Sequence, residues 1–145
     1  MKIYLSHSIR GQMGQDATTE FMAENNKKAL AFLQCLKTFL PQVKWYLPGE
    51  LDGFLIPRGV NLISIVEALL TLDCAIIKQS DGMVVFTPDD YISGGMQKEI
   101  DFATENSIPM FYYNPELFKG QTNSYVANKL TEWIKTIERK SNEQK

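Results

Sequence analysis

At 145 residues the chain is one domain of ordinary size, long enough to bury a core without disulfide or metal staples. A composition of 44% hydrophobic and 22% charged residues excludes a disordered or membrane-embedded chain. The net charge of −2 excludes the basic field of a nucleic-acid groove, yet leaves room for a single nucleotide in a local pocket.

The first element in chain order is "KIYLS" (2–6), a short hydrophobic run that reads as a buried strand. It discharges into Ser-His-Ser-Ile-Arg-Gly, which gathers hydroxyls, the only histidine and a cation within a few residues. Such a cluster of donors after a strand points to an anionic ligand. Beyond a polar loop, residues 18–40 carry Phe32, Leu33, Leu36 and Leu40 at helical spacing. "VKWYL" (43–47) is the second strand, closed by Pro48 and Gly49. A loop through residue 59, with Phe54 in it, lies on the expected substrate side and leads to a second helix over 61–80. "GMVVF" (82–86) is the third strand, residues 94–106 the third helix, and "PMFYY" (109–113) the fourth strand. A last helix over 123–140 ends in a tail, 141–145, expected to fray.

Strands alternating with helices predict one α/β domain over 1–145. The expected architecture is flavodoxin-like, a parallel sheet of four or five strands with helices on both faces. Ligands of such sheets bind beyond the carboxyl ends of the strands, which directs attention to residues 7–16, 48–59 and 87–95. Cys35 and Cys74 sit in apolar helical contexts with no CxxC pattern and no leader ahead of them, so reduced thiols in a cytoplasmic protein are expected. One histidine without a Cys/His cluster argues against a zinc site, and neither metal nor cofactor nor membrane contact is expected.

Two carboxylates stand out. Asp73 falls on the inward stripe of the second helix, between Leu69 or Leu70 and Ile76 or Ile77, where an apolar residue is the rule and where burial raises a carboxyl pKa. Glu99 lies on the edge of the buried face set by Met96, Ile100 and Ala103. Ser93 precedes Gly94 and Gly95 at that helix start, where unpaired amides and the helix dipole favour an anion. The same serine and glycines also suit an ordinary N-cap and turn. His7 reads as packed or as a plain hydrogen-bond donor, Trp45 and Tyr46 as core or lid, and Asp89 with Asp90 as turn chemistry.

Together these segments resemble the 2′-deoxynucleoside 5′-phosphate N-hydrolases, relatives of the nucleoside 2-deoxyribosyltransferases. Tyr4, Ser8, Ile9, Arg10 and Gly11 are similar to that family's N-terminal signature, Asp73 stands eight residues before Asp81, and Ser93 stands six before Glu99. The likeness spans roughly residues 2–114 and departs at Gln97 and Asp101, where the family carries glycine. It implies hydrolysis of a (deoxy)nucleoside 5′-monophosphate to free base and sugar phosphate. Glu99 would be the nucleophile, Asp73 the general acid and Tyr4 the residue orienting Glu99. Ser8, Arg10, Gly11, Ser93 and Gly95 would hold the phosphate, while Ile9, His7, Trp45 and Met96 would line the sugar and base. A homodimer is implied as well. Base exchange by a deoxyribosyltransferase, NAD-glycohydrolase chemistry and a non-catalytic nucleotide-binding module are the competing expectations.

Overall fold

Strand periodicity divides the molecule in two. In β1, Lys2–His7, residues 3, 5 and 7 point to one face and residues 4 and 6 to the other. The computed structural model describes residues 1–48, 62–116 and 118–143. Over these, β1 lies between β2 (Lys44–Tyr46) and β3 (Gly82–Phe86), with β4 (Met110–Tyr113) beyond β3. All three pairings are parallel, and the order is β2-β1-β3-β4. This is the expected α/β architecture, consistent with a flavodoxin-like fold, with four strands among the described residues.

One face of the sheet carries Ile3, Leu5, Val84 and Phe86. They pack against Ala29, Leu33 and Leu36 of α1 (Thr19–Phe39) and against Val126, Leu130, Ile134 and Ile137 of α4 (Asn123–Glu143). The side chain of Thr18 caps α1 by accepting a hydrogen bond from the Phe21 amide. The apolar stripe read from the sequence is therefore the buried one, and Leu40 closes it just past the helix end. The opposite face carries Tyr4, Met83 and Val85. They pack against Ile77 of α2 (Leu62–Lys78) and against Met96, Ile100 and Ala103 of α3 (Gly94–Glu105).

Three boundaries differ from the sequence reading. β2 is shorter than residues 43–47, α4 runs on to Glu143 so that the expected tail is helical through that residue, and a 3-10 segment, Gly11–Asp16, occupies what reads as a plain polar loop. The expected substrate-side loop falls almost wholly in residues 49–61, outside the described residues. Among the described residues no helix is long and apolar enough to cross a membrane.

Candidate functional site

The second face of β1 supplies the site. Tyr4 and Ser6, both fully buried, point toward α3, whose second turn returns Glu99 to them. The Tyr4 hydroxyl donates to Oε1 of Glu99 at 2.8 Å, and the Ser6 hydroxyl donates to Oε2 at 2.5 Å. Both oxygens of a carboxylate that is only 5% exposed are thus held from one strand. Burial pushes the Glu99 carboxyl up to about 7, and the negative charge of Asp73 adds to the rise; the hydroxyls of Ser6 and Tyr4 pull the other way. Burial first, and then the neighbouring Glu99 and Asp73 charges, raise the Tyr4 phenol far above its ordinary range, so it stays a donor. Tyr46 on β2 stacks on Tyr4 with ring centroids 5.5 Å apart, which fixes the phenol from the side.

Asp73 lies on α2, one turn before Ile76 and Ile77, and its charge reaches Glu99, Tyr4 and Cys74. It is half-buried, less enclosed than its place on the apolar stripe predicts, because Leu69, Leu70 and Ile76 beside it are themselves only half-buried. Asp81, eight residues on, does something different. Its Oδ2 accepts from the Lys2 amide at 2.7 Å, at the start of β1 and the far end of the sheet from Glu99.

The residues of the expected phosphate cradle leave neighbouring strand ends. His7 and Phe86 are register partners at the carboxyl ends of β1 and β3, so the segments that follow emerge side by side. After β1, the Gly11 amide donates to the Ser8 hydroxyl at 2.9 Å, and the buried Asn25 amide donates to the Ile9 carbonyl at 3.1 Å. Gly11 has φ +53, and a Cβ there would come within 2.9 Å of both Asn25 and Phe21, so this turn admits glycine only. Arg10 is half-buried and has no ion pair among the described residues. After β3, Gln12 donates to the Asp89 carbonyl at 3.2 Å and Lys28 pairs with the Asp89 carboxylate at 3.3 Å, which ties the two loops together. Asn114 donates to Asp90, a residue at φ 52, so both aspartates of "TPDD" take part in holding this turn.

The Ser93 hydroxyl caps α3 by accepting from the Met96 amide at 3.3 Å. Gly94 and Gly95 follow without left-handed backbone; a Cβ on Gly94 would meet nothing within 4 Å, and one on Gly95 only ordinary contacts. Neither glycine is demanded by the turn, so of the ordinary N-cap and turn that Ser-Gly-Gly suits, only the cap is required. A Cβ on Gly95 would lie 3.7 Å from Leu70, which sets α2 beside this helix start.

No protein-family model matches the chain, and no curated protein matches it. The geometry therefore carries the functional reading. Two expected lining residues sit on the wrong side of the sheet. His7 follows Ile3 and Leu5 onto the α1 face, where its Nε2 meets Asn26 at 3.1 Å and burial lowers its pKa, leaving a neutral ring. Trp45 packs into the same core, away from Glu99, and the aromatic that reaches the Tyr4 side is Tyr46. Met96 is fully enclosed beneath the helix start and supports Tyr4 by packing. Ile9 presents its backbone to Asn25 and is half-buried. Ser6 reads in the sequence only as one hydroxyl of the donor cluster after the strand, not as a partner of Glu99; the signal for that role is its spacing of two from Tyr4. Gln97 and Asp101, two positions where the resemblance fails, bond each other at 2.8 Å on the exposed side of α3, away from the Glu99 carboxylate.

Proposed function

We propose that the protein is an N-glycosidase that hydrolyses (deoxy)nucleoside 5′-monophosphates to free base and sugar 5-phosphate. The observation that carries this reading is the buried Glu99 carboxylate, gripped at both oxygens below adjoining strand ends and neighboured by a second carboxylate, Asp73. A structural glutamate in an apolar core is costly unless paired with a cation, and the partners here are hydroxyls.

In the reaction an oxygen of ionised Glu99 attacks C1′ while the bond from C1′ to the base nitrogen breaks. In the reacting state one proton is shared by the two neighbouring carboxylates and sits on Asp73 while Glu99 is ionised; it passes to the departing base, so no charged leaving group forms. The oxocarbenium-like state is stabilised by the carboxylate beneath it, and a glycosyl ester on Glu99 results. Water, deprotonated by Asp73, then attacks C1′ and returns free Glu99. Tyr4 and Ser6 each use one lone pair of a carboxylate oxygen and leave others for attack. The phosphate is taken by Ser8, Arg10 and the backbone of Gly11 on one side, and by Ser93 with the amides of Gly94 and Gly95 at the positive end of α3 on the other. Three features support that cradle: an Arg10 without an ion pair among the described residues, two glycines the fold does not require, and loops tied together through Asp89.

This reading includes a cytoplasmic location and a homodimer; Cys35 and Cys74 are free thiols, as a reducing compartment allows. The test is incubation with a panel of 5′-monophosphates and the matching nucleosides, with and without an acceptor base, scoring free base. Turnover of monophosphates alone, lost by several orders of magnitude in Glu99→Gln while nucleotide still binds, is expected. Base exchange on nucleosides would assign the protein to the transferases, and full activity in Glu99→Gln would remove the glutamate from the chemistry.

A further inference from the structure

Resting on the glycosidase reading, the geometry points to Ser6 as a positioning residue of the reaction: its hydroxyl fixes Oε2 of Glu99, holding the carboxylate ionised and oriented toward the site. Ser6 is fully buried, and its hydroxyl lies 2.5 Å from Oε2 of Glu99, the second hydroxyl hydrogen bond to this carboxylate. Its strand position gives it no alternative. Residues 4 and 6 share a face of β1, so a hydroxyl at 6 reaches the oxygen that Tyr4 leaves uncovered.

The two donors are not equivalent. Tyr4 is braced by its stack on Tyr46 and by the packing of Met83, Val85 and Met96, so it fixes where Oε1 lies. Ser6 is short and rigidly placed, so it sets the rotation of the carboxylate about its own axis. Without it, Oε2 is free to turn and the plane presented to C1′ is lost. The titratable groups facing Glu99 are Tyr4 from β1, with Tyr46 from β2 stacked behind it, and Asp73 and Cys74 from α2. From β3 the neighbours are Met83 and Val85, which do not titrate. None of these supplies a cation, so hydroxyl donation offsets burial in keeping the charge.

The experiment measures Glu99 directly and then through turnover. Protein labelled with ¹³C at the glutamate carboxyl carbons is titrated by NMR as wild type, Ser6→Ala and Ser6→Cys, with Glu99→Gln identifying the signal. Removing a donor to a charged acceptor should move the Glu99 midpoint upward by about one pH unit in Ser6→Ala. Ser6→Cys, with its weaker donor, should fall between. Turnover of a monophosphate should follow: Ser6→Ala slowed about tenfold more at pH 6 than at pH 9, with kcat rather than KM affected. Midpoints equal to wild type in both variants, or a rate loss equal at the two pH values, would overturn the assignment. A shifted midpoint in a protein that turns over no nucleotide would uphold the grip of Ser6 on Glu99 and reject the glycosidase reading.

Discussion

Glu99 places a conflict between stability and chemistry in a single side chain. Its carboxyl rises from an ordinary 4.5 to about 7 chiefly because burial disfavours the charge. The folded protein therefore holds this proton more tightly than the unfolded chain does. The resulting contribution to stability is fully present below pH 4.5 and is lost as the pH climbs through 7. Over that window it amounts to about 3 kcal/mol, each pKa unit being worth about 1.4. Glutamine keeps the shape, can accept from Tyr4 and can donate to Ser6, but never ionises. Glu99→Gln should accordingly be more stable than wild type by about 3 kcal/mol at pH 8.5, with little of that difference at pH 4.5. Urea unfolding of both proteins at the two pH values checks this, and a gap that does not change with pH would show that Glu99 is not strained by its charge. An inactive variant that gains stability only where the native residue is ionised is the behaviour of a functional carboxylate, not of a structural one.

At the scale of elements, α3 shows the same separation. Ser93 meets the needs of the helix start as N-cap, and the glycines after it answer no backbone or packing demand. Alanine at exposed Gly94 should stabilise the protein by about 0.5 kcal/mol through a less flexible unfolded chain. The same methyl group would stand among the amides offered to the phosphate. Gly94→Ala is therefore expected to melt higher while its KM rises for a monophosphate and not for the nucleoside; an unchanged KM would show that the phosphate does not approach that turn. Legibility follows a similar line. The helical stripe of α1 and the Ser93 and Glu99 placements are readable because each rests on local spacing, whereas Tyr4 at Glu99 is what the resemblance implies. The 3-10 segment was not, since Gly11–Asp16 has no apolar period and is held by contacts from elsewhere, such as Asn25 on Ile9 and Gln12 on Asp89. His7 and Trp45 are packed, as their residue types suggest, and it is the lining role implied by the resemblance that fails, for a further reason. Alternation shows that strand neighbours part company, but which face receives α2 and α3 is decided by how the chain crosses the sheet.

For the whole molecule, strand order is what assembles the site from segments ninety residues apart. The chain leaves β1 outward to β2, then returns through α2 across the sheet to β3, so β1 and β3 become neighbours whose carboxyl ends open together. One anion between them would touch the loop after β1 and the start of α3 at once, bracing two segments of which the first is already tied by Gln12 to Asp89 in the loop that leads to the second. Binding there is linked to global stability: a ligand at a hundred times its dissociation constant adds about 2.7 kcal/mol, which for a chain of this length raises Tm by roughly 5 to 10 °C. A deoxynucleoside monophosphate with Glu99→Gln, in which no turnover depletes the ligand, should give that rise. The matching nucleoside at equal concentration should give little, and Arg10→Ala should abolish most of the difference by removing the charge that pairs with the phosphate. Thermal shifts recorded across the four combinations of ligand and variant decide the matter. Equal shifts from nucleotide and nucleoside would mean that recognition lies in the sugar and base alone, and that the donors following β1 serve the turn and not a phosphate.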